Sequence, residues 1–356
     1  MFDLNLQRLL ALVNADMHDS GIDEDLFVGV AENDWRELFA AAAKQRVSAL
    51  AFNASLRLPQ KLQPPMTIQL PQITRTEGIE KLYLQRLETA EELSRFFGEN
   101  NIRMMVFKGV SLSALYPNPA SRDFGDIDIY LCGKSVEGNV LLEKLTGNKG
   151  VGKITSKHTN FAYKGVMIEN HHTFINKNSF KNSAFLEMYL EKMTVNAGTF
   201  PPPDFDALFV MLHTLRHFRS HINFRSLCDI TVVFSAYKGK FDLSRYSECI
   251  AKAGLEKIAG AFVSLCVRYF GLNPDDAPPY QPDVALENRI WNDVLYPITL
   301  PIEKRTLWNV ILFIPSLLKY YYWKSEAVYP GQYTRRILGS MVYYLKNPKN
   351  IRKVTG

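Results

Sequence analysis

Apolar residues recur at helical spacing through residues 1–100. The clearest case is 34–56, where apolar positions fall three and four residues apart and Asp34 is placed to cap the N-terminus of a helix. A proline-rich break at 58–72 follows, and a second long helix is predicted over 79–101. The pattern therefore predicts an N-terminal helical region.

The pattern changes beyond the first hundred residues, where short apolar runs replace the helical spacing. Strands are predicted over 102–107 and 126–132, because both runs are short, apolar and bounded by turn residues. The remaining predicted elements are two helices and a hairpin, over 109–117, 135–147 and 160–172. Lys164 and Gly165 form the turn of the hairpin. Together these elements predict a small α/β unit.

Helical spacing returns after residue 200 and continues, across a proline-rich linker at 273–283, to an aromatic-rich segment in the last 70 residues. We therefore predict an α+β fold in which a small mixed sheet is flanked by N-terminal and C-terminal helical regions. The predicted boundaries of the three regions are 1–100, 101–200 and 201–356.

The amino-acid composition limits which ligands and which kinds of site the protein can have. The chain of 356 residues is 47% hydrophobic and 22% charged, which is the composition of an ordinary globular protein. Its net charge of +6 suits anionic ligands such as nucleotides but is too small to require nucleic acid. Its 4 cysteines form no CxxC pair, so we predict reduced, buried thiols rather than a disulfide framework or a zinc site.

The N-terminal segment lacks the basic region and the cleavage site of a signal peptide, so the cytoplasm is the predicted compartment. The longest apolar stretch, 307–318, contains Pro315 and is shorter than the roughly 20 residues that a membrane-spanning helix needs. The aromatic cluster 319–323 is compatible with peripheral membrane contact. A helix that lies in the core or faces a partner is the favoured interpretation of this cluster.

Two carboxylates interrupt the second predicted strand. Because residues two apart in a strand point to the same face, Asp126 and Asp128 project together, while Ile127, Ile129 and Leu131 fill the other face. Adjacent carboxylates repel each other and resist desolvation, so they persist most readily with a cation between them. Carboxylate oxygens suit Mg²⁺, which also binds substrate phosphates. Metal binding is therefore favoured over the alternative of a solvated strand edge.

Lys108 follows the first predicted strand, and Gly109 is the first residue of the next predicted helix. The N-terminus of a helix presents free N–H groups to phosphate, and glycine allows a ligand to approach the backbone closely. Ser111 offers a hydroxyl in the first turn, and Lys108 and Arg122 offer positive charge. The sequence therefore predicts a phosphate site beside a metal site, with a packing role for Gly109 as the alternative.

The stretch 106–131 reads VFKGVSLSALYPNPASRDFGDIDIYL. It resembles an uncharacterised bacterial nucleotidyltransferase family with the pattern KG-x-x-L, LYP and R-x-x-x-D-I-D, a lysine-glycine variant of the superfamily that includes DNA polymerase beta. Glu169 and His171 resemble that family's acidic residue and histidine on a following strand. The segment 212–230 is similar to its histidine-containing helix and Leu-x-Asp. The resemblance covers most of 30–235.

The resemblance implies a nucleotidyltransferase core that moves a nucleoside monophosphate from an NTP to an acceptor hydroxyl and releases pyrophosphate. It implies that Asp126, Asp128 and Glu169 bind Mg²⁺ or Mn²⁺, and that Glu169 is also the general base. The residues that it implies for the donor nucleotide are Lys108, Gly109, Ser111 and Arg122. The superfamily usually has Gly-Gly or Gly-Ser at this helix start, so the serine is displaced here by one position. A sugar, an antibiotic, a tRNA end and a protein side chain stay open as acceptors.

His213 and His217 fall four residues apart on one face of a predicted helix, and His221 continues the row. This spacing can bind zinc, but the sequence has no HExxH pattern and no obvious third ligand. We therefore predict satisfied or substrate-facing histidines, and His171, beside Glu169, is a further substrate-facing candidate. The nearby arginines that suit donor phosphates or an acidic acceptor, or else a solvated face, are Arg216, Arg219 and Arg225.

Three alternatives to nucleotidyl transfer remain. A degenerate relative would bind a nucleotide without catalysis, although binding alone does not need three carboxylates. A toxin–antitoxin-type interaction protein would use its helical regions, and an exposed apolar face on the last 70 residues would favour it. A phosphotransferase would use the same metal chemistry on the γ-phosphate.

Overall fold

A computed structural model gives the fold of the protein over residues 3–150, 157–176, 179–218, 220–297, 320–329, 331 and 333. The predicted apolar stretch 307–318, Arg219 and most of the last 70 residues lie outside the described residues. Within the described ranges, every helix is too short or too polar to cross a membrane.

Four α-helices precede the sheet. Their bounds are Leu4–Met17 for α1, Glu32–Lys44 for α2, Ser48–Ser55 for α3 and Met66–Glu99 for α4. The first three pack around Trp35, whose ring stacks between the rings of Phe27 and Phe39. The predicted N-terminal helical region is therefore present, with different internal boundaries.

The single helix predicted over 34–56 is wrong. The chain turns at Arg46, whose φ of 56° is left-handed, and α2 and α3 form on either side of it. The turn allows α3 to pack against α1, which buries most of the α3 side chains. Asp34 is not the N-cap residue: it lies in the first turn of α2, where its carboxylate accepts a hydrogen bond of 3.2 Å from the Ala31 N–H.

The proline-rich break is shorter than predicted, because α4 begins at Met66 and runs through Pro71. Pro71 lies near the N-terminal end of α4, so its missing N–H removes one intrahelical hydrogen bond and leaves the later turns intact. The C-terminal half of α4 buries Leu93 and Phe97 against the sheet. The proline therefore leaves the packing surface of α4 in place.

The sheet has four strands within the described residues, in the order β1-β2-β4-β3. Their bounds are Met105–Phe107 for β1, Asp126–Tyr130 for β2, His158–Tyr163 for β3 and Val166–His171 for β4. β2 and β4 are parallel and the other two pairs are antiparallel, so the sheet is mixed, as predicted. The predicted hairpin is confirmed, with positive φ values of 50° at Lys164 and 77° at Gly165.

Two elements near the centre of the sheet are shorter than predicted. β1 has 3 residues, and the helix after it, α5, spans only Gly109–Ser113. α5 ends there because the N–H groups of Leu115 and Tyr116 bond to carbonyls three residues back, in the tighter 3₁₀ pattern. The helix over Ser135–Thr146, α6, agrees with the prediction.

Helices also follow the sheet. Their bounds are Ser183–Met193 for α7, Pro203–Phe218 for α8, Phe224–Ala236 for α9, Leu243–Ala253 for α10, Glu256–Tyr269 for α11 and Val284–Leu295 for α12. Residues 320–328 are helical as well. In the aromatic cluster there, Tyr320 is buried, Trp323 packs edge-on against Phe218 of α8, and Tyr322 is exposed.

The cysteines do not form disulfides. Cys228, Cys249 and Cys266 are buried, and Cys132 is half-buried. The prediction of free thiols is confirmed, and burial holds for all of them except Cys132.

The two faces of the sheet pack against different helices. The apolar side chains that face α4 and α6 are Val106, Ile127, Ile129 and Ile168. On the other face, the Phe107 ring packs edge-on against Phe205 and Phe209 of α8. Because side chains alternate along a strand, Asp126 and Asp128 lie on the α8 face. Charged groups therefore lie between the sheet and the C-terminal helices.

A buried ion pair joins the sheet region to α9. The Arg122 guanidinium donates through Nε to Asp229 Oδ1 at 2.6 Å and through Nη2 to Asp229 Oδ2 at 2.8 Å. Its Nη1 donates to the Gly109 carbonyl at 3.1 Å, and the Tyr116 hydroxyl donates to Asp229 at 2.7 Å. Arg122 and Asp229 are 4% and 7% exposed, so this is a desolvated, bidentate pair. It fixes α5 and α9 relative to each other.

We predict that Arg122→Met lowers the free energy of unfolding by about 3–5 kcal/mol, because it leaves the Asp229 carboxylate buried without a counter-charge. The double variant Arg122→Met/Asp229→Asn should recover much of this loss, because the amide is neutral and still accepts from Tyr116. Chemical denaturation of the wild type and of the variants measures both values.

Arg245→Met is the control, because the Arg245–Glu248 pair lies on the surface and its loss should change the stability little. A double variant less stable than Arg122→Met alone would show that the buried charge is not the source of the cost.

Candidate active site

Three carboxylates meet on the α8 face of the sheet. In the parallel pair β2 and β4, Asp128 lies directly opposite Glu169, and Asp126 lies opposite Met167. Asp126, Asp128 and Glu169 all line one cavity. The structure therefore brings together the three carboxylates that the sequence suggested.

Asp128 is the central charge of this group. It is 1% exposed, and its Oδ1 accepts hydrogen bonds from the Lys108 ammonium and from His171 Nε2, the latter at 2.7 Å. Burial alone would raise the pKa of Asp128, but Lys108 and His171 together hold it well below its ordinary value. Asp128 is therefore an ionised carboxylate inside the protein.

Glu169 lies among histidines. Its Oε2 is 3.3 Å from His158 Nδ1 and 3.4 Å from His171 Nε2. Burial raises the pKa of Glu169, but the hydrogen bond from His171, together with the nearby His158 and Lys108, more than offsets burial, and the net pKa is lowered. For Asp126, burial and the nearby Asp128 charge raise the pKa. The three carboxylates therefore differ in how readily they accept a proton.

Gly109 has a packing requirement of its own. A Cβ at this position would lie 2.6 Å from the Phe124 ring and 3.0 Å from the Asp126 carbonyl oxygen. Lys108, just before it, has a left-handed φ of 59°. The close approach of α5 to β2 therefore explains the glycine, which supports the packing interpretation without testing the phosphate interpretation.

The cavity that these carboxylates line has a volume of about 480 Å³, within the range of small-molecule sites. Its opposite wall comes from α8, whose His213 and His217 face the sheet, and from the segment that joins α8 to α9. The cationic residues of the wall are Arg46, Lys108, Arg122, Lys157, Arg216 and Arg225. The acidic ones are Asp126, Asp128, Glu169 and Asp229, so basic side chains outnumber acidic ones even without Lys157, whose pKa burial lowers well below its ordinary value.

Part of this positive charge is carried by half-buried side chains that form no ion pair in the described parts of the chain. Within the described residues, Arg216 and Arg225 form no ion pair with a carboxylate. Burial lowers the pKa of both guanidinium groups. Arg225 Nε and the neighbouring Asn223 Oδ1 are buried polar atoms that no hydrogen bond satisfies. Such groups suit a polar, anionic ligand.

The histidines of α8 are neutral at ordinary pH. Burial, followed by nearby cations such as Arg216, lowers the pKa of His217 to about 4. Burial and Lys108 lower the pKa of His213 well below its usual range. Arg216 Nη2 lies 3.3 Å from His217 Nε2, which fits donation to a neutral ring. Both histidines line the cavity, in positions open to a substrate.

Three predicted site residues are not free to meet a ligand in the cavity. Two do not line the cavity, and the third is hydrogen-bonded within the protein. His171 is fully buried and does not line the cavity, so its ring supports Asp128 and Glu169 rather than facing a substrate. Ser111 is 4% exposed and also does not line it. Arg122 reaches the wall, but its guanidinium is bound to Asp229 and Gly109. The nucleotide-binding roles of Ser111 and Arg122 stay predictions.

Sequence reasoning missed Arg46, Lys157 and His158 in the cavity wall. A signal for His158 was present, because a two-residue turn at 164–165 fixes the hairpin register and places His158 opposite His171. Burial lowers the pKa of His158 to about 4. Arg46 and Lys157 reach the cavity through long-range packing, which leaves no local pattern.

The donor set fits a divalent metal. Asp126, Asp128 and Glu169 supply carboxylate oxygens of the kind that Mg²⁺ and Mn²⁺ bind. In addition, His158, Glu169 and His171 place one ligand atom each within 4.8 Å of one another. By chemistry the carboxylates suit a cation, and by proximity the group His158, Glu169 and His171 can hold one.

Comparison with known families agrees with this geometry. A family model described as "Uncharacterised nucleotidyltransferase" matches residues 31–271, which is more than half of the chain and includes the whole sheet. The chain therefore belongs to this family. Neither a curated protein nor a solved structure matches it.

We predict that acid destabilises the protein through the neutral histidines of the cavity. An imidazole whose pKa is about 6.5 when unfolded and about 4 when folded takes up its proton first in the unfolded chain, so stability falls as the pH drops from 6.5 to 4. For His217 the loss is at most about 3 kcal/mol. His217→Gln should show a smaller loss in chemical denaturation at pH 4.5 relative to pH 8.

The value at pH 8 is the internal control, because the imidazole is then neutral in both states and any difference reflects packing alone. An identical acid loss in the wild type and in His217→Gln would contradict this assignment.

Proposed function

We propose that the protein transfers a nucleoside monophosphate from an NTP to an acceptor hydroxyl and releases pyrophosphate, with Mg²⁺ or Mn²⁺ held by Asp126, Asp128 and Glu169. One observation carries the proposal: three carboxylates from adjacent strands open into a cavity whose other charged groups are mainly cationic. Carboxylates that hold metal beside cations that hold phosphate are what nucleotidyl transfer requires.

The donor nucleotide would place its triphosphate against the cationic wall. Arg216 and Arg225 are half-buried and form no ion pair with a carboxylate in the described parts of the chain, so an incoming phosphate would supply a close counter-charge. Lys108 pairs with Asp128 and also borders the cavity, where it would neutralise further phosphate charge. The cavity volume of about 480 Å³ admits a ligand of nucleotide size.

In this reaction the protein would contribute positioning, proton transfer and charge neutralisation rather than a covalent bond to the substrate. The acceptor oxygen attacks the α-phosphorus, the bond from that phosphorus to the bridging oxygen breaks, and pyrophosphate leaves. Glu169 would take the acceptor proton, and its lowered pKa keeps it ionised, as a base must be. Asp126, whose pKa is raised, is the second candidate for this proton. Bound metal ions would neutralise the phosphate charge that develops.

The other candidate functions are less well supported. A protein that only binds nucleotide does not need Asp126, Asp128 and Glu169 on one face. A γ-phosphotransferase needs the same groups, and its reaction products would distinguish it from a nucleotidyltransferase. The feature that would favour a toxin–antitoxin-type interaction protein is an exposed apolar face on the last 70 residues, most of which lie outside the described ranges.

We predict Mg²⁺-dependent conversion of an α-labelled NTP to a labelled monophosphate product, with water or an added hydroxyl compound as acceptor, and release of pyrophosphate. Asp126→Asn should slow this conversion on the order of 100-fold or more. Asp126 is preferred to Asp128 for substitution, because an amide at 128 would leave Lys108 and His171 without their carboxylate partner. Chromatography of labelled products measures the rate.

Glu137→Gln is the matched control, since it makes the same carboxylate-to-amide change on the exposed side of α6. Label recovered as a diphosphate would support the γ-phosphotransferase instead. Binding is measured in parallel: saturation with the donor NTP should raise the melting temperature by roughly 2–4 °C. A folded protein that binds none of the four NTPs would overturn the proposal.

A further inference from the structure

The histidines beside Glu169 form a cluster that nucleotidyl transfer by three carboxylates does not require. Glu169 Oε2 lies 3.3 Å from His158 Nδ1 and 3.4 Å from His171 Nε2. Ligand atoms about 2.1 Å from a common ion lie about 3.0–3.4 Å apart when their bonds to it form angles of 90–110°. The two measured distances match those of neighbouring ligands around one ion, and all three ligand atoms lie within 4.8 Å of one another.

The hydrogen bonds of His171 orient its ring for this role. Its Nδ1 lies 3.2 Å from the Thr173 carbonyl oxygen, which can only accept, so Nδ1 carries a hydrogen. Its Nε2 therefore points at two carboxylates, Asp128 at 2.7 Å and Glu169 at 3.4 Å. A metal ion between Nε2 and these oxygens would be bound by all of them. Metal-bound histidines commonly donate their other N–H to a backbone carbonyl in this way.

His158 completes the cluster from the neighbouring strand. The β3–β4 register places it directly opposite His171, with the two ring centroids 4.9 Å apart. His158 and Glu169 line the cavity, whereas His171 is fully buried, so an ion would enter from the cavity and meet His171 last. The ligands thus belong to two hydrogen-bonded strands, which form a rigid support.

We propose that His158, Glu169 and His171 form a binding site for a divalent transition metal ion, in addition to the proposed Mg²⁺ site of Asp126, Asp128 and Glu169. Mg²⁺ strongly prefers oxygen ligands, whereas imidazole nitrogen suits transition ions, and two histidines with one carboxylate are a known transition-metal set. The inference shares Glu169 with the proposed function but does not rest on it, because the ion can bind without a nucleotide.

Mn²⁺ is the probe, because it is paramagnetic and accepts both oxygen and nitrogen ligands. Metal-free protein without nucleotide is titrated with Mn²⁺ in excess Mg²⁺, and free Mn²⁺ is followed by electron paramagnetic resonance. Pulsed measurements on the bound ion should show modulation from coordinated nitrogen. That modulation should change when the histidines carry nitrogen-15. His158→Ala should weaken Mn²⁺ binding about tenfold or more and reduce the nitrogen signal.

His172→Ala is the matched control. His172 adjoins His171 in sequence, but its ring bonds to Ser135 and Thr159 and lies outside the cluster, so binding and the nitrogen signal should persist. Circular dichroism and the melting temperature confirm that each variant is folded. A second variant, Asp126→Asn, removes an oxygen ligand of the proposed Mg²⁺ site and should leave the nitrogen signal unchanged.

Bound Mn²⁺ without coordinated nitrogen would overturn the inference and assign the ion to the carboxylates alone. Equal affinity in His158→Ala and the wild type would also overturn it. Neither result bears on NTP conversion, and failure of that conversion would leave the nitrogen signal as it is. The two proposals therefore fail independently.

Discussion

The site depends on one buried charge, the carboxylate of Asp128. Desolvation of an ion costs several kcal/mol, and the charge persists only because Lys108 and His171 donate to the same oxygen. Lys108 is at the end of β1 in a left-handed conformation, and the residue after it has no room for a Cβ beside Phe124. The Lys-Gly pair and the Asp-x-Asp strand are therefore two parts of one electrostatic arrangement.

A second buried pair positions the opposite wall. Arg122 binds Asp229 of α9 through two hydrogen bonds and the Gly109 carbonyl through a third, so it links α5, at the edge of the sheet, to the C-terminal helices. The cavity lies between the sheet, which carries Asp128, and the C-terminal helices, which the Arg122–Asp229 pair holds in place. This explains why a motif arginine that resembles a phosphate ligand is bound within the protein, while Arg216 and Arg225 face the ligand space without a carboxylate partner in the described residues.

Short sequence patterns predicted the features that neighbouring residues determine, such as the face of a strand and the turn of a hairpin. Strand alternation placed Asp126 and Asp128 on one face, and the Lys164-Gly165 turn fixed the hairpin that contains Glu169. The break at Arg46 was missed, because one residue in a left-handed conformation leaves the apolar spacing on either side unchanged. The composition of the cavity wall depends on contacts between residues far apart in sequence, which no short window contains.

The excess of basic side chains in the cavity bears on which ligand it favours. Burial lowers the pKa of Arg216 and Arg225 despite nearby carboxylates, and the neighbouring His217 imidazole stays neutral because burial and those cations disfavour a further charge. A polyanion would relieve this repulsion while metal ions shield it from the carboxylates on the sheet. The same arrangement therefore favours a ligand that brings its own negative charge.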